Sequence, residues 1–103
     1  MNRTITALSV LIMTAALTKG AFAADAVKGE TLAKRWCATC HIVASSQQRG
    51  TTQSPPFSAI ASKPGFNETT LAYFLLTPHP RMPDMNLSRS EAADIAAYIK
   101  TQK

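Results

Sequence analysis

The sequence predicts a small all-α domain, and three observations predict it. Apolar residues recur at helical spacing in three separate stretches, near residues 29–36, 71–76 and 92–99. Almost no stretch alternates apolar and polar residues as a half-buried strand would. Prolines and glycines stand where helices would end, at Pro64-Gly65 and at Pro78, Pro80 and Pro83. Three main helices and one long loop follow, with no repeat and no linker to divide them.

Taken in order, the chain opens with Arg3 and an apolar run from Ile5 to Leu17, and reaches Ala21-Phe22-Ala23. A basic start, a short apolar core and an A-x-A end describe a secretory signal peptide. We therefore expect residues 1–23 to be removed and residues 24–103 to form the working domain, with cleavage after Ala24 or Ala26 as alternatives. Thr6, Ser9 and Thr14 interrupt the run and Lys19 ends it, which is short for a membrane span. No twin arginine precedes it, so general secretion is the expected route.

The first helix is expected over Asp25 to Thr39. Gly29, Leu32, Ala33 and Trp36 share one face, while Lys28, Glu30, Lys34 and Arg35 lie mostly on the other. Gly29 costs about 1 kcal/mol relative to alanine inside a helix, a cost that close approach by another helix would offset. Residues 42–62 read as a polar, broken loop in which Phe57, Ala59, Ile60 and Ala61 supply one or two helical turns. The next helix begins at Asn67, a good N-cap, and carries Leu71, Phe74 and Leu75 inward until Pro78 stops it. The last helix has Ser88 and Glu91 at capping-box spacing and Leu87 placed as a staple against Ala92. Its apolar stripe is Ala92, Ile95 and Ile99, widened by Ala96 and Tyr98.

Charge narrows the function. Losing Arg3 and Lys19 takes the formal charge from +5 to +3, and the remaining cations are dispersed. Nucleic-acid binding wants a basic patch interleaved with aromatic residues, which this chain does not offer. A domain of about 80 residues is also marginal for a purely hydrophobic core. A large apolar cofactor at its centre would supply what the chain lacks.

The segment Cys37-Ala38-Thr39-Cys40-His41 names that cofactor. Two cysteines separated by two residues and followed by histidine form the attachment signature of a c-type haem. Each thiol can close a thioether onto one vinyl group of the porphyrin, and the imidazole is then held beneath the iron. A disulfide-exchange pair would want a thioredoxin-like sheet. A zinc site would need four ligands, and the chain has two cysteines and two histidines in all. Export supports haem attachment, because an oxidising compartment would otherwise convert a free pair to a disulfide.

With His41 on one side of the iron, one axial position remains. The candidates are Met82, Met85 and His79. Met82 is favoured, because Pro83 and the prolines before it forbid a helix and restrict how the side chain can move. A thioether there raises the reduction potential. Ligands on both sides leave no room for substrate, so electron transfer rather than catalysis is expected. The outer N–H of His41 should meet a backbone carbonyl in the stiff Pro55-Pro56 pair.

These segments are similar to the class I cytochromes c, in particular the small soluble bacterial monohaem kind. Trp36 to His41, Pro78-His79-Pro80-Arg81-Met82-Pro83, and Leu87-Ser88 through Ala96-Ala97-Tyr98-Ile99 resemble family segments in the family's order. The resemblance implies one haem c per chain, bound covalently through Cys37 and Cys40, with His41 and Met82 as axial ligands. It also implies that the first and last helices cross near Gly29, against Tyr98 or Ile95, and that a proline carbonyl orients His41. The loop after His41 departs from the family in offering Gly50 and then Ser54-Pro55-Pro56. The expected protein is a periplasmic, monomeric electron carrier with transient redox partners such as a dehydrogenase, oxidase or peroxidase, steered by a mild positive rim of Lys34, Arg35, Arg49 and Arg81. The alternatives are a haem subunit held in such a complex and a haem ligand sensor with a labile distal site.

Overall fold

The computed structural model describes residues 23–77 and 81–103, so the signal-peptide expectation and His79 lie outside the described residues. Four helices follow one another, α1 (Ala26–Trp36), α2 (Phe57–Ala61), α3 (Glu68–Leu76) and α4 (Arg89–Lys100), and no strand occurs among the described residues. The all-α architecture expected from the periodicity is the one observed, with α2 as the short apolar piece of the loop. No described helix is long and apolar enough to cross a membrane.

Helix α4 is the post on which the others lean. α1 packs most extensively against it, α3 next, and α2 touches it lightly. Ser88 caps α4 by accepting from Glu91 N–H at 3.1 Å, which satisfies one of the helix's orphan donors. Ala92, Ile95, Ala96, Tyr98 and Ile99 are all buried, so the expected stripe is the buried face. Leu87 packs, half-buried, against this core.

The α1–α4 crossing is closer than any side chain permits. A Cβ on Gly29 would overlap the backbone carbonyl of Asp94 and come within 2.9 Å of Tyr98 Cβ. The approach therefore falls on Asp94 and Tyr98 rather than on Ile95. Asp94 also reaches back, its Oδ1 accepting from Asp25 N–H at 2.7 Å. Asp25 in turn caps α1 through Val27 N–H at 2.9 Å. The crossing is thus tied at the mouth of α1 by two aspartates acting as acceptors.

Two expectations about α1 are corrected. The helix ends at Trp36, not Thr39, because Ala38 N–H bonds Ala33 O at 3.1 Å, one residue further back than a helix would take it, and Cys37 O then accepts from Cys40 N–H at 3.1 Å and His41 N–H at 2.8 Å in a separate turn. Trp36 is 43 % exposed although it shares the inward face by spacing. It is the last residue of the helix, and the Arg35 guanidinium lies 4.9 Å from its ring centroid on the surface. α3 begins as predicted, with Asn67 Oδ1 accepting from Thr70 N–H at 2.8 Å. Its apolar residues are not fully buried by other helices; Leu71, Phe74 and Leu75 instead form one wall of a cleft.

Candidate functional site

That cleft brings together Cys37, His41, Pro55 and Met82 of the sequence-predicted residues, while Cys40 and Pro56 are not in its lining. It has a volume of about 400 Å³, in the range of small-molecule and cofactor sites. Cys37 and His41 line it from the turn after α1, Pro55 and Phe57 from the long loop, Leu71 and Leu75 from α3, Ile95 and Ile99 from α4, and Met82 from the segment between α3 and α4. The turn that ends α1 has a geometric consequence. By bringing Cys40 and His41 back over Cys37, it places the thiol of Cys37 and the imidazole of His41 on one wall.

His41 is 9 % exposed, and its ring is fixed by two neighbours. Nδ1 lies 2.6 Å from Pro55 O. A carbonyl can only accept, so Nδ1 carries the proton and the neutral ring keeps its lone pair on Nε2. Phe57 packs against the imidazole at a centroid distance of 5.6 Å, and Tyr98 continues the stack against Phe57 at 6.2 Å. No hydrogen bond reaches Nε2 among the described residues. A buried nitrogen with a free lone pair, facing an apolar cleft, is a Lewis base awaiting an acid.

The two candidate prolines separate. Pro55 supplies the carbonyl, whereas Pro56 caps α2 and its own carbonyl accepts from Ala59 N–H at 3.0 Å and Ile60 N–H at 3.2 Å. Pro56 therefore does not reach His41. Its carbonyl belongs to the first turn of α2, where the missing N–H of a proline costs nothing.

The methionines separate as well. Met82 is half-buried and lines the cleft with His41. Met85 is also half-buried but lies outside the cleft, in a small enclosed pocket beside Leu76, Thr77 and Asp84 that Met82 also lines. The cysteines differ in their surroundings: Cys37 is 6 % exposed and Cys40 is exposed. Burial pushes the Cys37 thiol up to about 11, so at neutral pH it is a neutral thiol rather than a thiolate. No group of three or more His, Cys, Asp or Glu suited to a bare metal ion occurs among the described residues.

Sequence reasoning missed the residue that holds this segment together. Gln47 Nε2 lies 2.9 Å from Ala38 O, 2.7 Å from His41 O and 2.7 Å from Arg49 O, and its two hydrogens are shared among these three carbonyls. Its Oε1 accepts from Val43 N–H at 3.0 Å. One side chain thus satisfies backbone groups on both sides of His41. Nothing in a polar run of Ser, Gln and Arg marks which glutamine turns inward. Tyr98 adds a second tie, its hydroxyl donating to Val43 O at 2.6 Å in buried surroundings.

The donor set fits a covalently held haem. A thiol and an imidazole stand on one wall, a thioether shares the cleft, and the rest of the lining is mostly apolar. Comparisons with known proteins agree. The family model described as cytochrome c oxidase, cbb3-type, subunit III matches residues 24–99. The chain is 50 % identical over 90 residues to cytochrome c-552 of Bradyrhizobium diazoefficiens, covering 87 % of this chain and 86 % of that protein. No solved structure matches it. The cleft, the single CxxCH and these likenesses together place the chain in the cytochrome c family, as a small monohaem c-type cytochrome.

Proposed function

We propose that the protein is a diffusible periplasmic electron carrier that holds one haem c through thioethers from Cys37 and Cys40, with His41 and Met82 as its axial ligands. When bound, the haem supplies an iron that alternates between Fe(III) and Fe(II). The carrying observation is that the unpartnered Nε2 of a buried imidazole and the Met82 thioether share one apolar cleft. Pro55 O fixes the His41 tautomer and ring plane, raising the donor strength of Nε2. Met82, as a neutral soft donor, favours the reduced state and keeps the potential high. Phe57, Leu71, Leu75, Ile95 and Ile99 keep water out of the cleft, which limits reorganisation on electron transfer.

Occupation of both axial positions supports a carrier over an enzyme or a ligand sensor. The basic start, short apolar run and Ala21-Phe22-Ala23 of the sequence support export to the periplasm. Arg35, Arg49 and Arg81 are the exposed cations that support a positive rim for an acidic redox partner, while Lys34 is held by Glu30 at 2.7 Å. The test is carbon monoxide added to the reduced protein at neutral pH, together with extraction by acidified organic solvent. The carrier reading expects no carbon monoxide complex and retention of the haem by the chain. Ready carbon monoxide binding, or loss of the chromophore to solvent, would overturn it.

The description of the matching family favours a second reading, a haem subunit held in an oxidase complex. An exposed apolar face on α3, with Tyr73 72 % and Leu76 36 % exposed, is compatible with it. Copurification with a larger enzyme from the native membrane would select this reading.

A further inference from the structure

Every backbone carbonyl from Cys40 to Val43 accepts from a donor further along the chain. Cys40 O takes Thr51 N–H at 2.8 Å, Ile42 O takes Phe57 N–H at 2.9 Å, and Val43 O takes the Tyr98 hydroxyl at 2.6 Å. His41 O takes a side-chain amide, that of Gln47, at 2.7 Å. Loops are ordinarily among the more mobile parts of a fold, whereas this one is held at each consecutive residue around the imidazole.

A second observation singles out Gln47 among these donors. Its Oε1 accepts from Val43 N–H at 3.0 Å while its Nε2 lies 2.9 Å from Ala38 O, so one amide spans the main chain on both sides of His41. Gly50 brings the same loop down onto that segment, where a Cβ would stand 3.0 Å from Cys40 O and 3.2 Å from Ile42 N. Gln47 lies outside the cleft lining and borders an open depression with Lys34, Ala38 and Arg49. It therefore acts on His41 through the main chain and not through the cleft.

We propose that Gln47 is a positioning residue for electron transfer: by pinning the main chain on both sides of His41 it keeps the imidazole against Pro55 O and thereby sets the reduction potential of the bound iron. This inference rests on the axial reading given above, in which His41 Nε2 is the proximal donor. The Pro55 carbonyl is placed independently of Gln47, since Thr51 N–H and Phe57 N–H tie its loop on either side. What Gln47 fixes is the other partner, the backbone from which the His41 ring projects. The contact between Nδ1 and Pro55 O is 2.6 Å, short enough that a shift of a few tenths of an ångström weakens it. A stronger bond at Nδ1–H makes Nε2 a richer donor, and a richer donor favours Fe(III). Releasing Gln47 should therefore weaken the donor and raise the potential. Water admitted at position 47 enters the open depression, which shares no lining residue with the cleft.

A residue that only stabilised the fold would change the folded fraction and leave the potential of the folded molecules where it was. Gln47→Met, which keeps the bulk of the side chain and removes its hydrogen bonds, separates the two roles. It is compared as purified holoprotein with the parent and with Gly29→Ala, which is destabilised at the helix crossing instead. Reduction potential is read by spectroelectrochemistry. Exchange of His41 Nδ1–H with deuterated water is read by NMR in the diamagnetic ferrous protein, relative to Ile95 N–H in the same sample. Ile95 is fully buried on α4, so its amide reports global opening.

Gln47→Met should raise the equilibrium constant for reduction by about two- to tenfold, the scale of one weakened hydrogen bond. It should also speed Nδ1–H exchange by about tenfold more than Ile95 N–H exchange, because the opening is local. Gly29→Ala should leave the potential unchanged and speed both protons by the same factor. An unchanged or lowered potential in Gln47→Met, or equal acceleration of its two protons, would overturn the positioning role. If Gln47→Met does not mature, Gln47→Asn, a methylene too short to span both sides of His41, is judged by the same two criteria. Failure of the axial reading looks different: the parent protein itself would lack the near-infrared methionine-to-iron band, which failure of this inference leaves in place.

Discussion

Gln47→Ala is the perturbation whose size can be worked most directly from the structure. The substitution removes the acceptor for Val43 N–H and the two amide hydrogens shared among the half-buried Ala38 O and His41 O and the exposed Arg49 O. Each half-buried bond contributes about 1 kcal/mol net, and an orphaned buried carbonyl costs about 1–3 kcal/mol. The exposed bond is replaced by water at little cost. Water reaches part of the loop, so the total should be about 2–4 kcal/mol, or a fall in Tm of roughly 10–30 °C for a domain this small. Guanidinium unfolding of the holoprotein followed by far-ultraviolet circular dichroism measures it, with an unchanged m-value. Gln47→Glu, which keeps the acceptor and loses the donors, should be at least as damaging. A loss below about 0.5 kcal/mol, as for an ordinary surface position, would refute the view that this side chain holds the segment around His41.

Other predictions follow from the helix crossing and the buried tyrosine. Gly29→Ala gains about 1 kcal/mol of helix propensity but drives a methyl group into the Asp94 carbonyl. The net loss should be about 1–3 kcal/mol by chemical denaturation, and a stabilised variant would contradict the close crossing. Tyr98→Phe leaves Val43 O without its 2.6 Å donor and should cost about 1–3 kcal/mol at neutral pH. Burial, with a smaller contribution from Glu30, raises the Tyr98 phenol above its usual range. The unfolded chain therefore ionises first, and stability present below pH ~10 is lost as pH rises further. Tyr98→Phe should lack that part of the alkaline loss, so the gap to the parent should narrow in alkaline denaturation. Met85→Ala should leave the visible spectrum and the potential unchanged, because Met85 lies outside the cleft.

The chain disclosed its scaffold more readily than its fastenings. Ser88 and Asn67 were readable as caps because their chemistry acts three residues away, on N–H groups that every helix start leaves unpaired. Cys37, Cys40 and His41 stood out because their spacing is that of a haem attachment signature. The end of α1 was not, since Cys37 to Thr39 continue a helical pattern, and only the slip of Ala38 N–H back to Ala33 O decides where it stops. Pro55 and Pro56 are indistinguishable as sequence, and which carbonyl faces His41 depends on where α2 begins. Gln47 gave no signal, because its role comes from tertiary placement. A polar residue in a loop looks the same whether it faces water or a carbonyl.

The account stands most directly on the axial pair, and the near-infrared absorption of the ferric holoprotein tests it. A weak methionine-to-iron band should be present in the parent and in Met85→Ala, and absent in Met82→Ala. Loss of the band in Met85→Ala with its survival in Met82→Ala, or its absence from the parent, would contradict the assignment of Met82 to the iron.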